Sequence, residues 1–320
     1  MKVTVIGCGR WGSCIAWYLD KIGHEITLYG RENSANMRRL TETRQNDYLT
    51  MPESVRLTTA PGEILKAETI VISINSQDLS GLADMLAALG MRGKTVILCM
   101  KGIEIGTTRR LSQVIAETVD PTNHTAVWLG PGHVQELYAG IPNCMVIDSA
   151  SEEIKRRLAD EFSGGLIRFY YGNDMIGNEV GAAAKNVIGI AAGMLDGLSL
   201  TTVKGALMSR GTREVARLIY AMGGDGLCAY GLCHLGDYEA TVFSRFSRNR
   251  SFGEKFIKGD RAEPAEGFYT AKAMMQLAEK YDVRMPISRA VYRMLYEQGD
   301  AKEEFEILFS GGAKTEFDNC

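Results

Sequence analysis

The sequence predicts an α/β protein in which a doubly wound parallel sheet occupies the first half and a second, almost entirely helical domain follows. Strand-like and helix-like stretches alternate from the N-terminus to about residue 172, and strand patterns nearly disappear after that point. The chain has 320 residues, a length typical of two domains. We therefore expect domains at residues 1–172 and 173–320, with the boundary between Tyr171 and Asp174.

The sheet follows from short apolar runs that are bounded by glycine, proline or polar residues. We predict strands at "KVTVIG", "EITLYG", "TIVISIN", "KTVILCM", "TAVWLG", "PNCMVIDS" and "LIRFYY". Between them, the spacing of apolar residues predicts helices at "SCIAWYLDKIG", "SGLADMLAAL", "TTRRLSQVIAETV" and "EEIKRRLADEF". Repeated alternation of strand and helix is typical of a parallel sheet covered by helices.

The second half contains long helical candidates and almost no strand pattern. Helices are predicted at residues 176–197, 203–222, 235–244, 262–281 and 286–298. No helix is predicted for the basic stretch 245–253. In the first of these helices, Lys185 is the one charged residue between Val180 and Leu195. A helix suited to burial therefore carries a single ammonium group.

Composition and charge argue against several classes of function. The formal net charge is −3, which does not indicate binding to nucleic acid or to an anionic membrane. No uncharged apolar segment reaches the ~20 residues of a membrane span, and glycines interrupt the apolar run where a signal peptide would continue. Seven cysteines at irregular spacing favour reduced thiols in a cytoplasmic protein. We expect no metal site, since Cys228, Cys233 and His234 lack a second pair of ligands.

The first strand leads into "GCGRWG", which fits the pattern G-x-G-x-x-G at Gly7, Gly9 and Gly12. The pattern alone is weakly specific, but here a strand precedes it, a helix starts within it and a second strand follows. In a Rossmann-type domain, Gly7 permits the tight turn, Gly9 the approach of a pyrophosphate, and Gly12 the close packing of helix and strand. We interpret the turn as a site for NAD or NADP; the alternative is a turn that binds nothing.

The end of the second strand bears on the choice between NAD and NADP. A domain that strongly prefers NAD has an acidic residue there, which binds the ribose. Here Gly30 and Arg31 occupy that position, and Glu32 comes one residue later. Arg31 could pair with a 2′-phosphate, so we expect NADP to be accepted. An exposed arginine without this role, or a ribose contact from Glu32, stays open.

Lys185 has two interpretations. In the first, its ammonium group reaches water from the edge of the helix. In the second, the ammonium group is held inside, where burial favours loss of its proton, so that it can protonate a ketone and recover the proton from an alcohol. Such proton transfer is half of a hydride-transfer reaction. The apolar residues on both sides make this second interpretation the hypothesis that we carry forward.

A second polar cluster lies at residues 234–253. Asp237 could orient the ammonium group, and three arginines follow within six residues: Arg245, Arg248 and Arg250. Arginine forks suit a phosphate, although a solvated basic loop is the alternative. Lys101 directly follows the fourth predicted strand, and ligands of doubly wound sheets bind at the carboxyl ends of the strands. We therefore expect Lys101 to face cofactor and substrate.

Together these motifs resemble those of the bacterial NAD(P)-dependent glycerol-3-phosphate dehydrogenase family, from Met1 to about residue 310. "GCGRWG" is similar to the glycine turn of the family, with Trp11 as its characteristic tryptophan, and "RQNDYL", "MKGIE" and "AEGFYTAK" resemble shorter motifs. The most specific matches are "GAAAKNVIGIAAGMLDGL" and "LGDYEATVFSRFSRNRSFG". The resemblance implies a Rossmann-type domain, an all-α C-terminal domain like that of 6-phosphogluconate dehydrogenase, and a homodimer.

The resemblance also implies roles for individual residues. It makes Lys185 the general acid and base, oriented by Asp237, and adds Thr241 and Lys101 to the catalytic group. The implied cofactor-binding residues are Gly7, Gly9, Arg10, Trp11, Gly12, Arg31, Lys101, Val134, Arg248, Pro264 and Glu266. The implied substrate-binding residues are Lys101, Gly130, Gly132, Lys185, Asn186, Asp237, Ser247, Arg248 and Asn249.

Some residues depart from the family pattern. Gly132 replaces a hydroxyl residue that contacts substrate, Val134 replaces an alanine and Gln135 a frequent lysine. A small residue, a proline, an asparagine and a glycine are replaced by Arg10, Asn75, Thr202 and His234. These changes concentrate around the expected substrate pocket, so they bear on substrate affinity and identity more than on hydride transfer.

The activity implied by the resemblance is reversible hydride transfer between NAD(P)H and C2 of dihydroxyacetone phosphate, which supplies glycerol 3-phosphate for phospholipid synthesis. Two alternatives stay open. One is reduction of another small phosphorylated or carboxylated ketone. The other is a cofactor-binding protein without turnover, and retention of Lys185, Asp237 and Arg248 argues against it.

Overall fold

The computed structural model describes residues 1–260, 263–310, 312–313 and 315–316. The chain divides into two compact units, Met1–Lys101 with Arg109–Met175 and Gly102–Thr108 with Ile176–Cys320. The sequence predicted Gly102–Thr108 as part of the first domain, but it belongs to the second unit because Ile103 is buried in a core of helices. Ala262, the predicted start of one helix, and Cys320 lie outside the described residues.

The first unit is built on a sheet of eight strands. In chain order, the strands are β1 (Lys2–Ile6), β2 (Glu25–Tyr29), β3 (Arg56–Thr58), β4 (Thr69–Ile72), β5 (Thr95–Leu98), β6 (His124–Leu129), β7 (Asn143–Ser149) and β8 (Ile167–Tyr171). The helices are α1 (Arg10–Lys21), α2 (Ala35–Thr43), α3 (Leu79–Ala88), α4 (Leu111–Thr118), α5 (Val134–Tyr138) and α6 (Glu152–Phe162).

The order of strands across the sheet is β3-β2-β1-β4-β5-β6-β7-β8, which confirms the predicted doubly wound fold. β1 pairs in parallel with β2 on one side and with β4 on the other, so the strand order reverses at this point. Ligands of such sheets bind outside the carboxyl ends of the strands at the reversal. The glycine turn, which directly follows β1, therefore stands at the expected binding edge.

One pair in the sheet is not parallel as predicted. β6 and β7 run antiparallel, whereas β7 and β8 are parallel again. A parallel neighbour requires a long crossover, usually a full helix, whereas the connection between β6 and β7 contains only the five-residue helix α5. The prediction of an all-parallel sheet was wrong at this pair because the sequence pattern of a buried strand is the same in both directions.

The second unit contains α7 (Met175–Gly197), α8 (Lys204–Ala221), α9 (Arg248–Lys258), α10 (Glu266–Lys280), α11 (Pro286–Tyr296) and α12 (Ala301–Phe309). The helix predicted at 235–244 is instead a 3-10 turn, Leu235–Asp237, followed by a π-helical turn, Glu239–Phe243. None of the helices in the described part of the chain combines the length and the apolarity that a membrane crossing requires.

Helix α7 is the centre of the second unit. Its residues from Gly177 to Leu195 are all buried, so the helix is surrounded by protein on every side. Glycines allow α9 to approach it at backbone contact distance. A Cβ atom at Gly193 would lie 1.9 Å from the carbonyl oxygen of Arg250, and one at Gly253 would lie 2.1 Å from that of Ile190. This contact fixes the N-terminal end of α9, which carries the polar motif "RNR", beside α7.

Several elements were absent from the sequence prediction: α2, β3, α5, α9 and α12. Most of these elements are short or contain few apolar residues, so their hydrophobic pattern is weak. Only Met37 and Leu40 are buried in α2, and β3 is a three-residue strand at the edge of the sheet. Helix α9 was missed because its charged residues suggested a loop, whereas Ser247 caps its start by accepting a hydrogen bond from the backbone N–H of Arg250 at 3.2 Å.

Candidate active site

The glycine turn of the first unit has two positions that the fold itself restricts to glycine. Gly7 has a φ of +112°, and a Cβ atom there would lie 2.1 Å from the carbonyl oxygen of Ser73. A Cβ atom at Gly12 would lie 1.9 Å from the carbonyl oxygen of Gly7. Both glycines are therefore needed to bring α1 against β1 and β4, whether or not a ligand binds.

Gly9 differs from these two glycines. It precedes α1 with an ordinary extended backbone, and a Cβ atom there would meet no protein atom within 4 Å. Packing does not explain a glycine at this position, but close approach of a ligand does. No side chain caps the start of α1, and its first turn contains no acidic residue. The residues present thus fit a dinucleotide pyrophosphate at the positive end of this helix.

The end of β2 has no room for the acidic residue that a preference for NAD would require. A Cβ atom at Gly30 would lie 2.7 Å from Sγ of Cys8 and 3.0 Å from Cβ of Met37. Arg31, the next residue, is exposed, and its positive charge opposes the rise in the pKa of Tyr29 that burial causes. The local geometry excludes a carboxylate side chain at position 30 and leaves Arg31 exposed there, followed by the exposed Glu32.

The remaining predicted residues of the first unit lie on the turn itself and around the end of β6. The guanidinium carbon of Arg10 lies 5.8 Å from the ring centre of Tyr48, and Trp11 is half-buried. Nζ of Lys101 donates a hydrogen bond to the carbonyl oxygen of Gly130 at 2.7 Å. Val134, which begins α5, is buried.

The backbone conformation at Gly132 explains why this position departs from the family pattern. Its φ is +151°, and a Cβ atom would lie 2.9 Å from Cε of Met145. A serine or threonine in this backbone conformation would be strained and would press on that methionine. The hydroxyl group that the resemblance led us to expect therefore has no place in this conformation of the loop.

In the second unit, Lys185 does not reach water from the helix edge. Its Nζ lies 2.9 Å from Oδ2 of Asp237 and donates to Oγ1 of Thr241 at 2.6 Å. The side chains of the lysine and the aspartate are 9% and 1% exposed. The successive 3-10 and π-helical turns place Asp237 and Thr241, four residues apart, on the same side, facing α7. The structure thus brings together three of the predicted catalytic residues.

Asn186 lies next to this group with an unused donor. Its Oδ1 accepts a hydrogen bond from Nδ2 of Asn249 at 3.0 Å, and Oδ1 of Asn249 accepts from the backbone N–H of Gly267 at 2.8 Å. Nδ2 of Asn186 is buried and has no hydrogen-bond partner among the described residues. Since an unsatisfied buried donor costs about 1–3 kcal/mol, it is a candidate to bind an acceptor on a ligand.

The arginine cluster divides into groups with different partners. Arg250 forms an ion pair within the protein, since its Nε lies 2.6 Å from Oδ2 of Asp196. Arg245 is exposed, with its guanidinium carbon 5.0 Å from the ring centre of Phe246. Arg248, the first residue of α9, is exposed beside the buried Asn249. Arg248 and Arg250 flank Asn249 in the sequence, and of these two Arg248 is the exposed one.

Two of the predicted cofactor-binding residues stand at the start of α10. Pro264 and Glu266 are exposed, and the backbone carbonyl of Glu266 accepts a hydrogen bond from Oγ1 of Thr270 at 3.0 Å. The neighbouring Gly267 is in close contact with α7, because a Cβ atom there would lie 2.5 Å from the carbonyl oxygen of Asn186.

Sequence reasoning did not predict the burial and the partners of two polar groups of the second unit. Lys204 is buried in an ion pair with Asp196, which nothing in its sequence neighbourhood indicated. His234 is buried, and both of its ring nitrogens lie at hydrogen-bond distance from partners: Nδ1 is 2.8 Å from the carbonyl oxygen of Gly181, and Nε2 is 2.7 Å from the hydroxyl of Tyr238. Burial lowers the pKa of His234 to about 4.

The first unit therefore has the features of a nucleotide-dependent dehydrogenase, and the second contains a buried, carboxylate-paired lysine suited to proton transfer. Residues 2–155 match the N-terminal and residues 174–306 the C-terminal part of the NAD-dependent glycerol-3-phosphate dehydrogenase family. The chain belongs to this family. This match confirms the family resemblance that the motifs indicated. It also confirms the expected class of enzyme, an NAD(P)-dependent dehydrogenase.

Individual relatives agree with this assignment. The chain is 34% identical to a glycerol-3-phosphate dehydrogenase [NAD(P)+] of Prosthecochloris aestuarii, over 99% of this chain and 100% of the relative. A similarly named protein of Thermoanaerobacter sp. is also 34% identical, over 97% and 96% of the two chains. The crystal structure of glycerol-3-phosphate dehydrogenase from Coxiella burnetii superposes with a TM-score of 0.90 at 27% identity, covering 97% of this chain and 99% of that one.

Proposed function

We propose that the protein catalyses reversible hydride transfer between NAD(P)H and C2 of dihydroxyacetone phosphate, with Lys185 as the proton donor and acceptor. The buried Lys185–Asp237–Thr241 group is the observation that carries this proposal. The close relatives named as glycerol-3-phosphate dehydrogenases support the choice of substrate. NADPH or NADH supplies the hydride when bound.

Lys185 has the chemistry that the reduction needs. Its ammonium group gives a proton to the oxygen of the carbonyl group as that oxygen becomes an alkoxide, and its positive charge stabilises the developing negative charge. Asp237 holds the ammonium group in place and keeps its charge compensated inside the protein. In the reverse direction, the amine form of Lys185 removes the proton from the hydroxyl group of glycerol 3-phosphate.

Polar groups around Lys185 are proposed to bind the rest of the substrate. Asn186 offers its unused amide N–H to a substrate oxygen, and Asn249 orients that amide. Arg248, supported by Ser247 at the start of α9, binds the phosphate, because a guanidinium group can donate two parallel hydrogen bonds. From the first unit, Lys101 is proposed as a further substrate-binding cation because the family resemblance implies that role; its Nζ donates to the carbonyl oxygen of Gly130. Binding energy from the phosphate then positions the reacting carbon.

We further propose that NADP is accepted as well as NAD. The exposed Arg31 and the crowded position Gly30 support this, since the first can pair with a 2′-phosphate and the second has no room for an acidic side chain. Arg10, Trp11, Val134, Pro264 and Glu266 remain proposed cofactor contacts. Replacement of Arg31 by Ala should raise KM for NADPH while leaving KM for NADH nearly unchanged. Equal changes for both cofactors would refute this role.

The defining experiment is an absorbance assay of NADPH and NADH oxidation with dihydroxyacetone phosphate, compared with small carboxylated ketones such as pyruvate. We expect turnover only with the phosphorylated ketone. A higher kcat/KM with a non-phosphorylated ketone would overturn the proposed substrate. Binding of NADPH without turnover of any ketone tested would instead indicate a protein that has lost its activity.

One observation favours a second candidate, reduction of another small phosphorylated or carboxylated ketone. The loop around Gly132 excludes the hydroxyl residue expected to contact the substrate, so one substrate contact of the family is missing. A ketopantoate reductase of Ralstonia eutropha shares the fold, with a TM-score of 0.65 at 14% identity. The panel of ketones in the same assay separates the two candidates.

We also propose a cytoplasmic homodimer that supplies glycerol 3-phosphate for phospholipid synthesis. The reduced state predicted for the cysteines and the properties implied by the family resemblance support these assignments. Light scattering of the purified protein tests the dimer, and a monomer at micromolar concentration would refute it. Loss of growth without added glycerol after deletion of the gene tests the metabolic role.

A further inference from the structure

We propose that His234 is a positioning residue, which holds the turn that carries Asp237 in register with Lys185 on α7. The inference rests on the proposed role of Lys185 as proton donor. It assigns a function to a buried group that the hydride-transfer mechanism does not itself use, at a position where the family resemblance led us to expect a glycine.

The bond from His234 to α7 reaches the helix one turn before Lys185. Nδ1 of His234 lies 2.8 Å from the carbonyl oxygen of Gly181. In an α-helix, that carbonyl also accepts the backbone N–H of the residue four positions later, which is Lys185. The imidazole therefore binds the same carbonyl group, that of Gly181, to which the backbone N–H of Lys185 is bonded.

The backbone of His234 belongs to the turn that carries Asp237. The backbone N–H of Asp237 donates to the carbonyl oxygen of His234 at 3.0 Å, which closes the turn between the two residues. One side chain thus connects the backbone that carries the aspartate with the backbone that carries the lysine. The ion pair between Lys185 and Asp237, 2.9 Å long, lies across this connection.

Neighbouring groups fix the protonation and the tautomer of His234. A carbonyl oxygen can only accept, so Nδ1 must carry the hydrogen that is donated to Gly181. Nε2 is then an acceptor, and it receives the hydroxyl of Tyr238 at 2.7 Å. The ring is fully buried and lies in the positive field of Lys185, and both conditions favour its neutral form. A neutral ring with both nitrogens bonded is a rigid spacer rather than a proton carrier.

Packing leaves little freedom for this spacer. A Cβ atom at Gly181 would lie 3.2 Å from Cβ of His234, so the ring enters where the helix has no side chain. The edge of the imidazole also contacts the Tyr238 ring, with centroids 4.9 Å apart. Removal of the imidazole should therefore allow the aspartate turn to shift relative to α7.

The test compares two substitutions at this position in the full-length protein. His234→Ala removes the bond to Gly181, and because a displacement of about 1 Å can cost 100-fold, we expect kcat to fall by about 10- to 100-fold. KM for dihydroxyacetone phosphate and the Kd of NADPH should change little, because their proposed ligands are other residues. His234→Asn places an amide N–H where Nδ1 stands, so it should recover most of the lost turnover.

A matched control separates positioning from general destabilisation. His24 of the first unit is also a buried histidine, and its Nε2 lies 2.9 Å from the carbonyl oxygen of Glu161. His24→Ala should lower the Tm without lowering kcat. If His234→Asn is as slow as His234→Ala, or if kcat of His234→Ala equals that of the unmodified protein, His234 does not position the ion pair.

Failure of this inference is distinguishable from failure of the proposed function. Lys185→Ala serves as the reference, because it removes the proposed proton donor and leaves His234 in place. Turnover retained by Lys185→Ala would refute the role of the lysine. Turnover lost in Lys185→Ala but retained in His234→Ala would refute only the positioning role of the histidine.

Discussion

Lys185 and Lys204 are two buried lysines of the same unit that resemble each other in burial and differ in surroundings. Their side chains are 9% and 7% exposed, and each forms an ion pair with an aspartate whose side chain is 1% or 8% exposed, respectively. Asp196, the partner of Lys204, also binds Arg250. Lys204 is further enclosed by the carbonyl oxygen of Val242 at 3.4 Å and by the ring of Phe243, whose centre is 5.5 Å away.

The difference shows that a buried lysine–aspartate pair does not by itself indicate catalysis. The partners of Lys204 come from α7 and the π-helical turn, and Asp196 also binds Arg250 of α9, so this ion pair joins elements of the fold. The contacts of Lys185 include the Asp237 carboxylate and the Thr241 hydroxyl, and next to them lies the Asn186 amide donor, which no described residue uses. The two sites differ because Nδ2 of Asn186, beside Lys185, is a buried donor to which a substrate oxygen can bind.

The largest effect that we expect comes from removing the ammonium group of Lys185. Lys185→Met should lower kcat by about 10²–10⁴-fold, the usual contribution of a general acid. Binding of NADPH, measured by fluorescence titration, should persist because the glycine turn belongs to the other unit. Turnover near that of the unmodified protein would contradict the proposed role.

The same substitution at Lys204 should affect stability instead of chemistry. Lys204→Met leaves Asp196 with Arg250 as a remaining cation, so the loss of stability should stay below the ~3–5 kcal/mol that a fully uncompensated buried charge costs. Urea denaturation should show the loss, while kcat of the remaining folded protein should stay within a small factor of its original value. If Lys204→Met instead lowered kcat as strongly as Lys185→Met, the distinction between the two lysines would be wrong.

The two arginines at the start of α9 extend the comparison. Arg248→Ala should raise KM for dihydroxyacetone phosphate by about 10- to 100-fold, since hydrogen bonds to charged groups contribute about 1.5–3 kcal/mol. Arg250→Ala should leave this KM nearly unchanged and lower the Tm, because Arg250 is bonded to Asp196. Steady-state kinetics and thermal unfolding of both variants test this distinction. A raised KM in Arg250→Ala and an unchanged KM in Arg248→Ala would contradict it.

The smallest effect that we expect is the loss of stability at acidic pH that His234 causes. The pKa of His234 is lowered from 6.5 to about 4 in the folded protein, so the unfolded chain binds a proton that the folded chain refuses. The stability that His234 contributes is full above pH 6.5 and is lost as the pH falls towards 4. Between pH 7 and pH 5 we expect the unmodified protein to lose about 2 kcal/mol more than His234→Asn, whose side chain does not titrate. Urea unfolding of both proteins at the two pH values measures the difference, and parallel losses would contradict it.

Much of the first unit was predictable because its signals are local. Apolar runs such as residues 2–6 and the glycine turn at Gly7, Gly9 and Gly12 are contiguous in the chain, and a strand, a tight turn and a helix start are formed by neighbouring residues. The antiparallel placement of β7 was not predictable, since strand direction depends on which neighbour accepts its hydrogen bonds.

In the second unit, the residue pattern alone was enough to predict a lone lysine in a helix too apolar to face water, and to suggest Asp237 and Arg248 as residues near it. Which carboxylate pairs with which cation became clear from the packing of the helices. Asp237 is 52 positions from Lys185 and Asp196 is 54 positions from Arg250, and both pairs form because the glycines of α7 admit neighbouring segments at backbone distance. Such partners are chosen by packing between distant segments, for which a single sequence carries no local signal.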